Sequence, residues 1–241
     1  NGSFSATRVT DDIKVGFDGR IGNNKTGYDL VDSLGVKKNI TINNHTSRLE
    51  HFFIKSITEH WSAAYSVEFR TNTFENIKQG TKLKAALEYN IFPYKEVNTK
   101  FFAVRYFVDV RKNKYFDSTL YDKINESLLG HGAETQFQLN QKWGTTSLGV
   151  EYHNYFKRGN FFNLGANAQV DVRITGGLSF FIYAYGEIVR DQLSLLKEDA
   201  TGEEVLTRRR QLASGYNYSL NFGVNYRFGS KLNNFVNPRF N

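Results

Sequence analysis

The chain has no cysteine, no methionine and only two prolines among its 241 residues. Without cysteine there is no disulfide framework, thiolate metal site or cysteine nucleophile. Soluble domains average about 5% proline, so two is few. No apolar run approaches the ~18 residues of a membrane-spanning helix. Neither an initiator methionine nor a secretory leader stands at Asn1, which leads to the expectation of a processed chain or a fragment. Aromatics, in contrast, are plentiful: 21 Phe, 14 Tyr and 2 Trp make up 15% of the chain. Lys and Arg number 31 against 24 Asp and Glu, a net charge of +7. A basic, aromatic-rich protein can bind nucleic acid when its charge gathers in a stripe. Here the tight cluster is Arg208, Arg209 and Arg210, and elsewhere the signs alternate, so nucleic acid is not an expected partner.

The dominant pattern has period two, the signature of strands with one apolar face. Phe162, Leu164, Ala166, Ala168, Val170, Val172 and Ile174 alternate with Asn163, Gly165, Asn167, Gln169, Asp171 and Arg173. Tyr216, Tyr218, Leu220, Phe222, Val224, Tyr226 and Phe228 alternate with polar residues and glycine, and Leu83 to Ile91 repeats the pattern. Similar stretches lie near 1–9, 12–22, 47–57, 61–73, 101–111, 132–143, 147–157 and 178–191. Most span about 10–16 residues, where a soluble strand averages ~5–6 and a tilted membrane strand needs ~9–11. The apolar faces carry no charge in their middles. In a soluble sandwich such a face packs into a core; in a membrane barrel it meets lipid, and the charged face lines the lumen. Strand length, aromatic content and scarce proline favour the second. The expected fold is all-β: a transmembrane antiparallel outer-membrane β-barrel of about 10–12 strands.

Connections read as alternately short (10–12, 58–60, 95–99, 144–146, 175–177) and long (23–46, 74–81, 114–131, 157–161, 194–212). Short turns belong to the periplasm, which puts the C-terminus there. Trp61, Tyr94, Trp143 and Phe228 are then expected in an aromatic girdle at that boundary, with Phe92 beside them. Residues 1–228 form the barrel and 229–241 a periplasmic tail. The first strand lacks a partner ahead of it, so an upstream strand or domain is expected before residue 1; a ten-stranded barrel with 1–9 outside the ladder is the rival.

Three segments resemble an outer-membrane barrel family of Bacteroidota and related Gram-negative phyla. They are Glu88-Tyr89-Asn90-Ile91-Phe92-Pro93-Tyr94; Asp191-Gln192-Leu193-Ser194-Leu195 followed by Arg208-Arg209-Arg210-Gln211-Leu212-Ala213; and the ending Tyr226-Arg227-Phe228-Gly229-Ser230 with Asn233-Asn234-Phe235-Val236-Asn237-Pro238-Arg239-Phe240. The resemblance implies location and fold, and an N-terminal non-barrel domain ahead of the barrel. It implies no chemistry, since that family carries no established activity, and the Asn/Lys-rich stretch 23–46 falls outside it.

Of the five histidines, His45, His51 and His131 are placed in or beside long loops and His60 in a short turn. His153 projects into the lumen, and no serine has a nucleophile context around any of them. No ligand-like spacing of His, Asp and Glu stands out, so neither metal nor cofactor is expected. The acidic run 197–204 reads as a solvated loop before it reads as a weak calcium site. The expected lumen network comprises Arg70, Glu88, Arg105, Asp109, Glu134, Glu151, Asp171, Arg173, Glu187 and Arg227, nearly cancelling in charge and plugging a narrow bore. Arg208, Arg209 and Arg210 are placed in the last external loop, where guanidinium forks suit lipopolysaccharide phosphates. The expected function is non-enzymatic: a structural or accessory subunit of a larger outer-membrane assembly, in contact with outer-membrane lipids, lipopolysaccharide and other outer-membrane proteins. A small passive channel is the alternative, and a lipid-modifying enzyme a third reading.

Overall fold

The computed structural model describes residues 1–31, 37–197 and 214–227. Eleven strands follow one another in chain order: β1 (Gly2–Val9), β2 (Ile13–Val31), β3 (Lys37–Ser56), β4 (Trp61–Asn72), β5 (Ile77–Asn90), β6 (Lys100–Tyr115), β7 (Asn125–Gln141), β8 (Gly144–Tyr155), β9 (Arg158–Arg173), β10 (Leu178–Val189) and β11 (Tyr216–Tyr226). Each pairs antiparallel with its sequence neighbours in a single meander sheet. One short 3-10 turn, Tyr94–Glu96, interrupts the β5–β6 connection.

Apart from register shifts at Arg70/Asn72, Ile77/Gln79 and Asn154/Tyr155, the pairings put alternate residues on one continuous outer face. Leu148, Ala168, Ala184 and Leu220 stand side by side across β8 to β11, and Val170, Ile182 and Phe222 form the adjoining row. No Asp, Glu, Lys or Arg stands on this face across the shared middle of the sheet; Arg8, Lys55, Lys100, Lys112 and Lys114 lie on it near strand ends, and Lys25, Asp29 and Lys37 on the extension of the β2–β3 hairpin. Leu220 is 62% and Phe222 69% exposed. A soluble sheet would bury such residues, whereas a lipid-facing sheet presents them to hydrocarbon. The buried side chains belong to the opposite, concave face: Ala103, Phe107, Asp109 and His153 are almost inaccessible. Gly132 leaves room there, because a Cβ at this position would collide with the Phe107 ring from the paired strand and with the Tyr152 carbonyl. The fold is a transmembrane antiparallel β-barrel, with lipid-type residues outside and charged residues inside.

The structure corrects two readings of the connections. The stretch 23–46 is not a long loop. β2 and β3 extend as one hairpin past the other strands, with Thr26 opposite Ile42 and Tyr28 opposite Ile40. Ile40 and Ile42 are buried, so the apolar alternation persists beneath the Asn and Lys content that obscured it. Second, short and long turns do not sort cleanly by end. The β8–β9 connection is only Phe156 and Lys157, and β4–β5 turns over Thr73–Asn76, both at the end expected to carry long loops. The connection through residues 91–99, at the other end, is longer than either. Loop length alone therefore does not orient this barrel.

Candidate functional site: a charged lumen with a strap across one mouth

The lumen is built in rows that the strand registers make. One row runs Ser62, Glu88, Arg105, Glu134, Glu151, Gly165, Glu187 and Asn217 across β4 to β11. Arg105 sits between Glu88 and Glu134 and binds both: Nη2 donates to Glu88 Oε2 at 2.6 Å, and Nη1 donates to Glu134. Lys84, two inward rows away, reaches past Phe107 to add a bond to Glu134 Oε1 at 2.5 Å and lays its ammonium 3.8 Å from the Phe107 ring centroid. Like charges on neighbouring strands would repel if left alone. Here alternate rows neutralise one another. Arg20, Arg48 and Arg70 stand opposite each other on β2 to β4, and the next row holds Asp18, Glu50 and Glu68. Arg48 reaches Glu50 at 2.8 Å and Glu68 at 2.7 Å, while Arg70 turns to Glu75 at 3.0 Å.

A second cluster lies closer to the end that carries the β4–β5 and β6–β7 connections. Asp109 is 1% exposed and accepts from Arg111 Nε at 2.7 Å and from His153 Nε2 at 2.7 Å. Arg111 Nη1 also donates to the Tyr155 hydroxyl at 3.0 Å. The His153 ring stacks on Phe107 with its Nδ1 buried and without a partner. A histidine held by a carboxylate can serve as an acid–base pair when a nucleophile adjoins it. Among the described residues no histidine ring bonds to a Ser or Thr hydroxyl. His51 and His131 meet Tyr65 and Tyr106 on the outer face, within strands rather than loops, and His60 meets the Asn90 carbonyl.

The mouth at the end that carries the β4–β5 and β6–β7 connections is crossed by a strap. Residues 190–197 leave β10 and reach the opposite wall. The Ser194 carbonyl accepts from Asn76 Nδ2 at 3.1 Å, and Leu120 N donates to the Leu195 carbonyl at 2.8 Å. Leu196 forms a bridge with Thr119, and Lys197 N donates to Ser118 at 3.1 Å. The Lys197 ammonium pairs with Asp122. β10 is separated from the β4–β5 turn by five strands, so these contacts can form only across the interior of the curled sheet. Leu193 is buried in an apolar cluster with Leu128, Tyr155 and Phe161. Beneath the strap lies a cavity of about 380 Å³, walled by Arg70, Arg111, Tyr155, Glu187 and Asn217.

Asn76 is the staple of this mouth. It is buried, and its φ of 62° lies in the left-handed region that asparagine tolerates better than most residues. Its side chain donates to the carbonyls of Asp117 and Ser194 and accepts from Asp117 N. One residue thus ties the β4–β5 turn, the β6–β7 loop and the strap together.

At the other end Tyr94 is expected in the outer girdle, but its hydroxyl turns inward. It bonds to Ser62 and to Glu88, each at 2.8 Å. Burial, reinforced by Glu88 and opposed by the Ser62 bond, pushes its pKa up to about 12. Tyr94 is therefore a neutral donor under physiological conditions. Trp61 packs at a tilt against Tyr89 at the outer face, and Trp143 is exposed in the β7–β8 turn.

Among the remaining expected network members, Asp171 accepts from Gln169 at 2.9 Å and Glu187 from Asn163 at 2.6 Å. Glu151 faces the interior in the Arg105 row and is exposed, and Arg173 is exposed at the short-turn end of β9. Arg227 donates its backbone N–H to Gly177. Arg208, Arg209, Arg210, Phe228, the tail 229–241 and residues 198–204 of the acidic run lie outside the described residues. Sequence reasoning missed the second bond partners, above all Lys84 for Glu134 and Tyr94 for Glu88. It also missed the strap. Its one signal was the apolar spacing of Leu193, Leu195 and Leu196 inside an otherwise polar connection.

No family model matches the sequence, and no curated protein matches it. Among solved structures, the chain is similar to one titled "NanC porin structure in rhombohedral crystal form" over 94% of this chain and 98% of that one, with a TM-score of 0.42 and 8% identity.

Proposed function

We propose that this chain is a non-enzymatic integral barrel of the bacterial outer membrane, with a lumen that does not conduct, acting as a structural or accessory subunit of a larger assembly. In this reading the short turn Thr10–Asp12 and the end of β11 face the periplasm and the strap faces outward. The observation that carries it is the strap, fastened at Asn76 and Thr119 across the mouth. The rows of paired charge behind it support the same reading, because they tie side chains of different strands into the bore. Arg208, Arg209 and Arg210 fall in the connection that follows the strap and supply guanidinium groups suited to lipid phosphate. A barrel with a stoppered lumen has its outer wall and its two ends left for partners.

The role is tested by extracting the native particle in mild detergent and identifying what co-migrates. A stoichiometric complex with other outer-membrane proteins is the expected result. A lone barrel contradicts the accessory role.

The channel reading has one specific support. Glu151, Asn167 and Gln169 on the β8–β9 wall are exposed to the interior, so part of the bore is wet. Its test is the conductance measurement that closes the Discussion.

A further inference from the structure

The meander has two free edges. β1 pairs only with β2 and β11 only with β10, and no ladder joins β1 to β11 among the described residues. Every residue of β1 is exposed, and so is all of β11 except Gly223. Among the described residues, therefore, no strand ladder takes up the outward N–H and C=O groups of either edge at membrane depth. Hydrocarbon offers them no partner, and a spanning sheet must close.

Direction decides how it can close. Ten successive antiparallel pairings leave β1 and β11 running the same way, both toward the Thr10–Asp12 end. One strand running the opposite way would pair antiparallel with both. We infer that the barrel is closed by one further strand of this same polypeptide, ahead of residue 1, lying between β1 and β11. The inference rests on the membrane-spanning fold and is independent of the accessory role.

Two other occupants fit less well. A second copy inserted with the same orientation offers edges that also run this way, so any pairing between copies would be parallel. The tail after β11 would run in the right direction. However, Leu232, Phe235, Val236 and Phe240 do not alternate, and Pro238 removes a donor. The edges also specify the face chemistry of the strand. Its outward residues adjoin Phe4, Ala6, Leu220 and Phe222 and must be apolar; its inward residues adjoin Ser3, Ser5, Ser219 and Asn221 and must be small or polar.

Residues 1–241 hold no cysteine, so introduced pairs are read against the same polypeptide without them. In the full-length polypeptide in membranes, Ser5→Cys is combined in turn with Asn217→Cys, Ser219→Cys, Asn221→Cys and Asn225→Cys. Neighbouring strands lie ~4.8 Å apart, so one intervening strand separates these residues by about 10 Å. A disulfide needs Cα atoms within about 7 Å. The expected result is no disulfide in any pair under oxidation, and crosslinking by a bismaleimide of about 10 Å span in at least one. Ser5→Cys with Asp18→Cys, opposite each other on β1 and β2, should oxidise and so certifies the folded ladder. A direct β1–β11 disulfide, no crosslink with either reagent, or adducts between two chains would each overturn the inference. Ending the chain after Phe228 should leave the pattern intact; its loss would make the tail the closing strand and overturn the inference.

Discussion

At the scale of single residues, the lumen separates groups that matter from groups that merely face water. Asp109 is inaccessible and holds two donors, so Asp109→Ala takes the carboxylate from both Arg111 and His153 and leaves Arg111 the Tyr155 hydroxyl. Removing one partner of a buried ion pair costs about 3–5 kcal/mol. We expect a loss near the lower end, because the Arg111 side chain keeps 21% exposure. Denaturant unfolding in detergent checks this. The Arg48–Glu50 pair is the contrast: at 49% exposure of Arg48, Arg48→Gln should change stability by no more than about 1 kcal/mol. Tyr94 adds a pH signature. Its folded pKa of about 12 lies above the ordinary 10.0, so its contribution is fully present below pH 10 and lost as pH rises through 12. Tyr94→Phe should remove that part of the alkaline slope, measured as wild type against variant in the same titration. Alternation in the sequence made the inward charges legible, because period two assigns a face without knowing any neighbour. Their partners were not legible. Which carboxylate Arg105 meets depends on register, and a slip of two residues keeps every face while exchanging every partner.

At the scale of elements, the strap and the long hairpin make the same point from opposite directions. The β2–β3 hairpin was hidden because its Asn and Lys content reads as loop while its backbone continues a ladder set by Ile40 and Ile42. The strap was hidden because it has no period at all. It is placed by bonds to distant loops, and nothing local in residues 190–197 encodes Asn76 or Thr119 as a partner. Asn76→Ala removes three side-chain hydrogen bonds and puts alanine at a φ of 62°. The expected cost is about 2–4 kcal/mol of mouth stability. Asn76→Gly relieves the backbone and loses only the bonds, so it should fall between alanine and wild type. Protease accessibility of the 190–197 segment ranks the three variants. Leu193→Ala, which empties a buried site beside Leu128 and Tyr155, should loosen the same segment, whereas Leu196→Ala should do less. Equal protection in all of them would mean that the strap is held by something other than these contacts.

At the scale of the whole molecule, strand length, outer-face chemistry and scarce proline agree on one solution, a sheet that stands in lipid and keeps its charges inside. The sequence carries that solution strongly because it is repeated in every strand. Orientation is carried weakly, since connections of both lengths occur at both ends. The central functional claim is that the strap and the charge rows close the bore. The most direct measurement is single-channel conductance of the purified full-length protein in a planar bilayer. The account predicts a silent bilayer for the wild type and intermittent steps once Asn76→Ala is combined with Leu193→Ala. Stable nanosiemens-scale steps from the unmodified protein would contradict it and make the barrel a channel.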